Sequence, residues 1–247
     1  MSRSIGRRHM VALASLAVCA TACGGGHAEG ASTPSATVGR GAERSARVLT
    51  QRQLEDAVVD AHDLPGVQVE EVGAGTQGAG NGVIHAARRT TTEPSLCAPV
   101  SAAVDGASGY SPVGSVQRVA GAKGRSTLLT LVSYRSADGV RVINELRTAL
   151  KSCTAYTAGP MKAAYEDVEA VDGPPQGDDG VAFRLKLTVE PGEDGLKLPI
   201  SVMAVRHGST LAIYKALSDA PGTSASIPSD LVDAQSRVLD AAVHTTR

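Results

Sequence analysis

Two paired cysteines, two adjacent aspartates, a histidine beside an aspartate and two glycine-rich runs are the residues here whose types and spacing could do chemistry. Gly73-Ala74-Gly75-Thr76-Gln77-Gly78 has the spacing of a dinucleotide-binding turn, follows a predicted strand and has Glu93 further along. That chemistry needs a helix whose N-terminus meets the pyrophosphate. Here the run continues into more glycine, Arg88-Arg89 and three threonines before Pro94, so it reads as a loop. Gly121-Ala122-Lys123-Gly124-Arg125-Ser126-Thr127 has the composition of a phosphate loop but lacks adjacent Gly-Lys-Ser and runs into a strand, which makes it a hairpin turn.

A nucleophile elbow is missing too, since Gly109-Tyr110-Ser111-Pro112-Val113 carries valine where the second glycine belongs. His62-Asp63 has the types of an acid–base pair, against the plainer reading of a solvated helix end. Asp178-Asp179 sits among prolines and glycines without the alternating oxygen ligands of a calcium loop. No catalytic motif, metal set or cofactor is expected from this sequence. Five tyrosines, one phenylalanine and no tryptophan disfavour a sugar-stacking surface, leaving aliphatic walls for any ligand.

The address is easier to read. Arg3, Arg7 and Arg8 precede an almost wholly apolar or small run from Met10 to Ala20, then Ala20-Thr21-Ala22-Cys23. This is a secretory signal with a small-residue cleavage site, and its apolar stretch of about 11–13 residues is too short to span a membrane. Cysteine directly after the cut resembles the lipobox of bacterial lipoproteins, which implies diacylation of Cys23. Arg7-Arg8 also resembles a twin-arginine export signal. Residues 1–22 are therefore expected to be removed and 23–46 to form a flexible tether, with Gly24, Gly25 and Gly26 at its start.

Loss of residues 1–22 takes three of the 24 Lys and Arg and none of the 25 acids, leaving a net charge of −4 that gives no grip on nucleic acid. With Cys19 discarded and Cys23 acylated, Cys97 and Cys153 remain as an even pair in an oxidising compartment and should form a disulfide.

Residues 47–247 read as one domain. Thr50 caps a helix carrying Leu54, Ala57, Val58 and Ala61, and Val67–Val72 is a strand. A short helix from Pro94 bears Cys97, and strands follow at 115–120 and 126–134. The clearest helix spans 136–152 and delivers Cys153. A strand near 165–171 precedes the cleanest alternation in the chain, with Val181, Phe183, Leu185, Leu187 and Val189 on one face and Arg184, Lys186, Thr188 and Glu190 on the other. Pro199–Val205 and Thr210–Leu217 flank a hairpin turn at His207-Gly208-Ser209, and Ser229 opens a last helix. The expected fold is α+β, a curved antiparallel sheet with helices packed on one face.

Asp63-Leu64-Pro65-Gly66, Leu96-Cys97, the helix ending in Cys153, Gly177-Asp178-Asp179-Gly180-Val181-Ala182-Phe183 and Val205-Arg206-His207-Gly208-Ser209-Thr210-Leu211 together have a family look. They resemble the actinobacterial sensor-domain lipoproteins, similar to the extracellular sensor domain of PknH-type kinases and more distantly to LpqN-type lipoproteins. The resemblance implies an α+β domain with a ligand-binding groove and supplies no catalytic residues. The expectation is a lipid-anchored protein on the extracytoplasmic face of the cell membrane with a non-enzymatic binding or sensor-like domain. Its partners would be the membrane, through the anchor, and a small apolar ligand or an envelope protein. The rival readings are an envelope hydrolase of unfamiliar type and an accessory subunit docked on a membrane protein. A groove between the helices and the concave sheet face is the expected ligand site, enclosing roughly 300 Å3 or more if it takes a small molecule.

Overall fold

The computed structural model describes residues 47–72, 90–122, 125–135, 137–189, 195–218 and 223–244. The signal segment, Cys23 with its tether, and the glycine run from 73 to 82 lie outside the described residues. In chain order the elements are α1 (Gln51–Asp56), β1 (Gln68–Glu71), β2 (Thr92–Glu93), a 3-10 turn (Ser95–Cys97), α2 (Ala98–Val104), β3 (Gly114–Ala122) and β4 (Arg125–Ser133). Then follow α3 (Asp138–Ala149), β5 (Tyr156–Ala158), β6 (Ala163–Val171), β7 (Asp179–Thr188), β8 (Lys197–His207), β9 (Thr210–Leu217) and α4 (Ser229–His244).

A capping box starts α1: the Thr50 hydroxyl accepts from the Gln53 amide, and the Gln53 side chain accepts from the Thr50 amide. The helix stops well before Ala61, although the apolar spacing continues. The Asp60 carboxylate accepts from the His62 amide at 2.7 Å and Asp63 accepts from the Asp60 amide at 3.0 Å, so a side-chain-bonded turn replaces the helical ladder.

The nine strands of the described residues belong to one sheet, in the order β1-β3-β4-β9-β8-β7-β6-β5-β2, and every pair is antiparallel. The α+β class and the curved antiparallel sheet are as the sequence implies. Along β7, Val181, Phe183 and Leu185 are buried while Arg184 and Lys186 are exposed. Val189 does not extend this row: it lies beyond the strand end and is 48% exposed.

The helices do not share one face. Val142, Ile143 and Leu146 of α3 and Val100 and Val104 of α2 pack with Phe183, Val202, Leu211 and Ile213. Leu54 of α1 and Leu231, Val232 and Leu239 of α4 pack on the other side, against Leu129, Leu131, Val205 and Tyr214. The reason lies in β8 and β9, where both parities are apolar: Val202 and Ala204 against Val205, Leu211 and Ile213 against Ala212 and Tyr214. A strand apolar on both sides must be covered on both sides. Each fully buried Leu, Ile or Phe in these two layers stabilises the fold by about 1.5–3 kcal/mol.

One irregularity interrupts the sheet. The register of β6 against β7 shifts between Glu166 and Glu169, and Asp167 there has a φ of 52°.

Candidate functional site

The face carrying Phe183 holds the candidate site. Cys97 and Cys153 are bonded with their Cα atoms 5.2 Å apart, fixing the start of α2 to the chain just after α3, and both sulfurs are buried. The bond holds the two helices side by side over the sheet. Between them lies a slot of about 200 Å3. Its walls are Ala98, Ala102 and Ala103 of α2 with Val142 and Leu146 of α3, and its floor is Ala204 and Ile213. Thr90, Thr92, Ser108 and Glu145 also line it. The space exists because α2 presents alanines where larger residues would have closed the gap between helix and sheet.

This is the groove that the sequence leads one to expect, with two corrections. Its volume falls below the roughly 300 Å3 that encloses a small molecule. Phe183 does not line it, being sealed at 0% exposure in the layer beneath.

The opposite face, over β6, β7 and β8, carries a more open concavity of about 970 Å3 lined by Asp167, Glu169, Arg184, Lys186, Lys197, Ser201 and the segment from Thr223 to Ala225. Two of its three cations are already neutralised. Lys186 pairs with Asp167 at 2.8 Å and Lys197 with Glu166 at 2.6 Å. Hydrogen bonds from Lys197 and Thr188 hold the Glu166 carboxyl below its usual range, and the contact with Lys186 does the same for Asp167. A wet, internally paired surface of this kind offers a ligand less than an enclosed apolar slot does.

The Asp178-Asp179 pair singled out in the sequence turns out to be a lock. Asp178 accepts from the Gly208 amide at 2.6 Å and from Arg206 Nη1 at 3.1 Å, so the first aspartate of Asp178-Asp179 closes the β8–β9 turn. Asp179 takes Arg147 of α3 at 2.6 Å, which explains why an arginine stands on the inner side of that helix. Gln176 donates to Asp233 of α4 at 2.6 Å. Gly177 has a φ of 72°, and a side chain there would come within 2.5 Å of the Arg206 carbonyl. The segment before β7 is thus bound to α3, to α4 and to the hairpin.

His207 makes the one contact between a histidine ring and an aspartate among the described residues, Nδ1 to Asp240 at 2.7 Å. Its ring is fully buried, and Nε2 has no hydrogen-bond partner. A proton on that nitrogen would have no route to a substrate, so the pair ties the hairpin to α4. His62 and Asp63 lie exposed in the turn after α1 and do not face one another across a cleft.

Four further polar groups, spread over 110 residues of chain, were not marked by any motif: Asp105, Tyr156, Tyr165 and Lys215. They gather on the same face as the slot. Burial pushes the carboxyl of Asp105 up, opposed by Lys215, and pushes the ammonium of Lys215 down, opposed by Asp105. Burial also raises the phenols of Tyr156 and Tyr165, and Asp105 acts on both in the same direction. A signal for Lys215 was present in β9, where Leu211, Ile213 and Lys215 alternate onto one face and the last is the wrong type for a core.

No family model matches the chain, and no curated protein matches it. Among solved structures, an uncharacterized protein of Mycobacterium smegmatis, the ortholog of Rv0999, is similar at a TM-score of 0.36 and 15% identity, over 81% of this chain and 96% of that one. The extracellular domain of PknH from Mycobacterium tuberculosis is similar at a TM-score of 0.45 and 8% identity, over 79% of this chain and 97% of that one.

Proposed function

We propose that this chain is an exported lipoprotein, cut before Cys23 and tethered there by lipid to the extracytoplasmic face of the cell membrane. Its folded domain recognises a larger envelope molecule by taking one apolar group of that molecule into the slot, without catalysing a reaction. The observation that carries this reading is the size and lining of the slot. An apolar cavity of about 150 Å3 accepts benzene, whereas sites that enclose whole ligands start near 300 Å3. At about 200 Å3 the slot suits one ring or one branched alkyl group of something bigger. The disulfide behind it belongs to an oxidising compartment, which supports export.

Benzene is the probe that tests the slot. Melting the full chain with and without saturating benzene should show a rise in Tm, and Ala102→Leu, which fills the slot from α2, should abolish the rise while leaving the fold intact. An equal benzene response in the parent and in Ala102→Leu would refute the slot as the receiving site. No response in either would refute apolar recognition at this face.

A further inference from the structure

Among the described residues that line the slot, only Glu145 carries a charge. Ala204 and Ile213 at the floor are buried, whereas Ala98, Gly109 and Glu145 are exposed, so the carboxylate stands at the rim where the slot opens. The spacing on α3 puts it there. Val142 and Leu146, four residues apart, turn into the slot, and Glu145 follows Val142 by three at the edge of the same face. Two hydrogen bonds steady it. The Tyr110 amide donates to the Ser108 hydroxyl at 3.1 Å, which fixes the turn after α2, and the Tyr110 hydroxyl donates to Glu145 Oε1. A phenol from the α2 side thus reaches across to α3 and holds one oxygen of the carboxylate. Oε2 makes no hydrogen bond or ion pair among the described residues.

The nearest cations on α3 are committed elsewhere. Arg141, one turn before Glu145, pairs with Asp138 at 3.2 Å, and Arg147, two residues after it, pairs with Asp179 at 2.6 Å. Glu145 is therefore a charge with no cationic partner among the described residues, set at the mouth of an apolar cavity. An apolar group seated in the slot takes water away from one side of that carboxylate, and a hydrogen bond from a charged donor is stronger there than in bulk water. Because Tyr110 already orients the carboxylate, meeting such a donor costs little further ordering.

We propose that the slot selects an apolar group that carries a primary ammonium one to three carbons away, the ammonium donating to Glu145 Oε2 while the apolar group fills the space between α2 and α3. The inference rests on the apolar recognition proposed above and adds to it the charge of the ligand. Side chains three apart on a helix, such as Val142 and Glu145, stand about 5–6 Å apart at Cβ, a gap that so short a carbon chain spans. An ammonium has only donors and an ionised carboxylate only accepts, so the two match. A ligand carboxylate in that place would meet Glu145 as a like charge, and a hydroxyl would gain only the weaker bond of a neutral donor.

The test takes dissociation constants from the concentration dependence of Tm for the full chain, at one ionic strength and about pH 7, where amines are charged and carboxylic acids ionised. The ligands are benzylamine, phenethylamine and phenylpropylamine, with the alcohols and the carboxylates of the same chain lengths. The best amine should bind roughly three- to tenfold more tightly than its alcohol, and the carboxylates should bind least. Glu145→Gln keeps an acceptor for Tyr110 at an exposed helix position, so it should fold as the parent does and bring amine and alcohol level. Glu145→Lys should turn the order round in favour of the carboxylates. The inference is overturned if no amine outbinds its alcohol in the parent, if a carboxylate binds as tightly as its amine, or if Glu145→Gln keeps the advantage of the amine. A response to benzene without any preference for amines would sink this inference and leave the slot standing, whereas no response to benzene or to any amine would sink both.

Discussion

Breaking the Cys97–Cys153 bond should lower the stability of the domain by about 4 kcal/mol without changing its fold. The bond closes a loop across a sequence separation of 56 residues. In the chain-entropy account a loop of that length removes about 14 cal/mol/K from the unfolded ensemble, which is about 4 kcal/mol at room temperature. Two preparations separate the cross-link from the packing around it. Reduction of the parent keeps both sulfurs in the core, whereas Cys97→Ala with Cys153→Ala also removes two side chains that are 0% and 1% exposed. The double variant should therefore lie a further roughly 1–2 kcal/mol below the reduced parent. Urea unfolding measures both. The midpoint should fall in that order, and the slope should rise once the cross-link is gone, because the freed unfolded chain exposes more surface. For a domain of this size the reduced form should melt roughly 8–16 °C lower. Contacts of α2 and α3 with Phe183, Val202 and Ile213 do not depend on the bond, so the reduced protein should stay folded in water. A reduced parent within about 1 kcal/mol of the oxidised form would refute the reasoning, because the structure leaves no other constraint to account for it.

Asp178→Ala removes the acceptor for the Gly208 amide and for one Arg206 nitrogen, and should cost about 1–3 kcal/mol. Arg206 keeps its bond to the Gly208 carbonyl, and the aspartate is exposed enough for water to offset part of the loss; a midpoint unchanged in urea would show that the turn holds itself. Glu166 has its folded pKa lowered by Lys197 and Thr188, so its contribution is present above the ordinary value of 4.5 and fades as pH falls through the folded pKa. Parent and Glu166→Gln should thus converge in Tm on acidification below pH 4.5, and parallel curves down to the acid limit would contradict the assignment. Cys23→Ala should escape lipid modification, and mass spectrometry of the membrane fraction should find an acylated Cys23 peptide only in the parent. A variant retained and processed as the parent is would remove the case for the anchor.

Much of the fold could be read directly from residue types. The alternation of Val181, Phe183 and Leu185 with Arg184 and Lys186 marks β7 because one face of that strand is wet. Thr210 and Leu217 bound β9 as expected, since His207-Gly208-Ser209 supplies a turn with Gly208 at a φ of 63°. Other features leave no such mark. Two-residue β2 and three-residue β5 are too short for a period; β5 exists because β6 offers it an edge, and β2 because β5 offers the next one. The division of the helices between two faces was written in the doubly apolar runs of β8 and β9, which read as a strong one-sided core until their parities are separated. The slot is a lack of volume at Ala98, Ala102 and Ala204, and alanine is equally at home in a solid core.

The irregular step in β6 bears on how copies of this protein behave when crowded. β5 pairs with Ala163, Ala164 and Tyr165, so among the described residues the rest of β6, Glu166–Val171, has no strand on its outer side. A bare edge of this kind is a template on which a second chain can add a strand and a third can follow. The turned backbone at Asp167 breaks the straight row of donors and acceptors, and the Val168 amide is already taken by the Thr154 carbonyl at 2.9 Å. Glu166, Asp167 and Glu169 stand along the same stretch, so an identical edge brought alongside meets a second set of the same charges. Molecules packed shoulder to shoulder on a surface are in this way kept from zipping into fibrils, and the sheet ends where its own chain ends it.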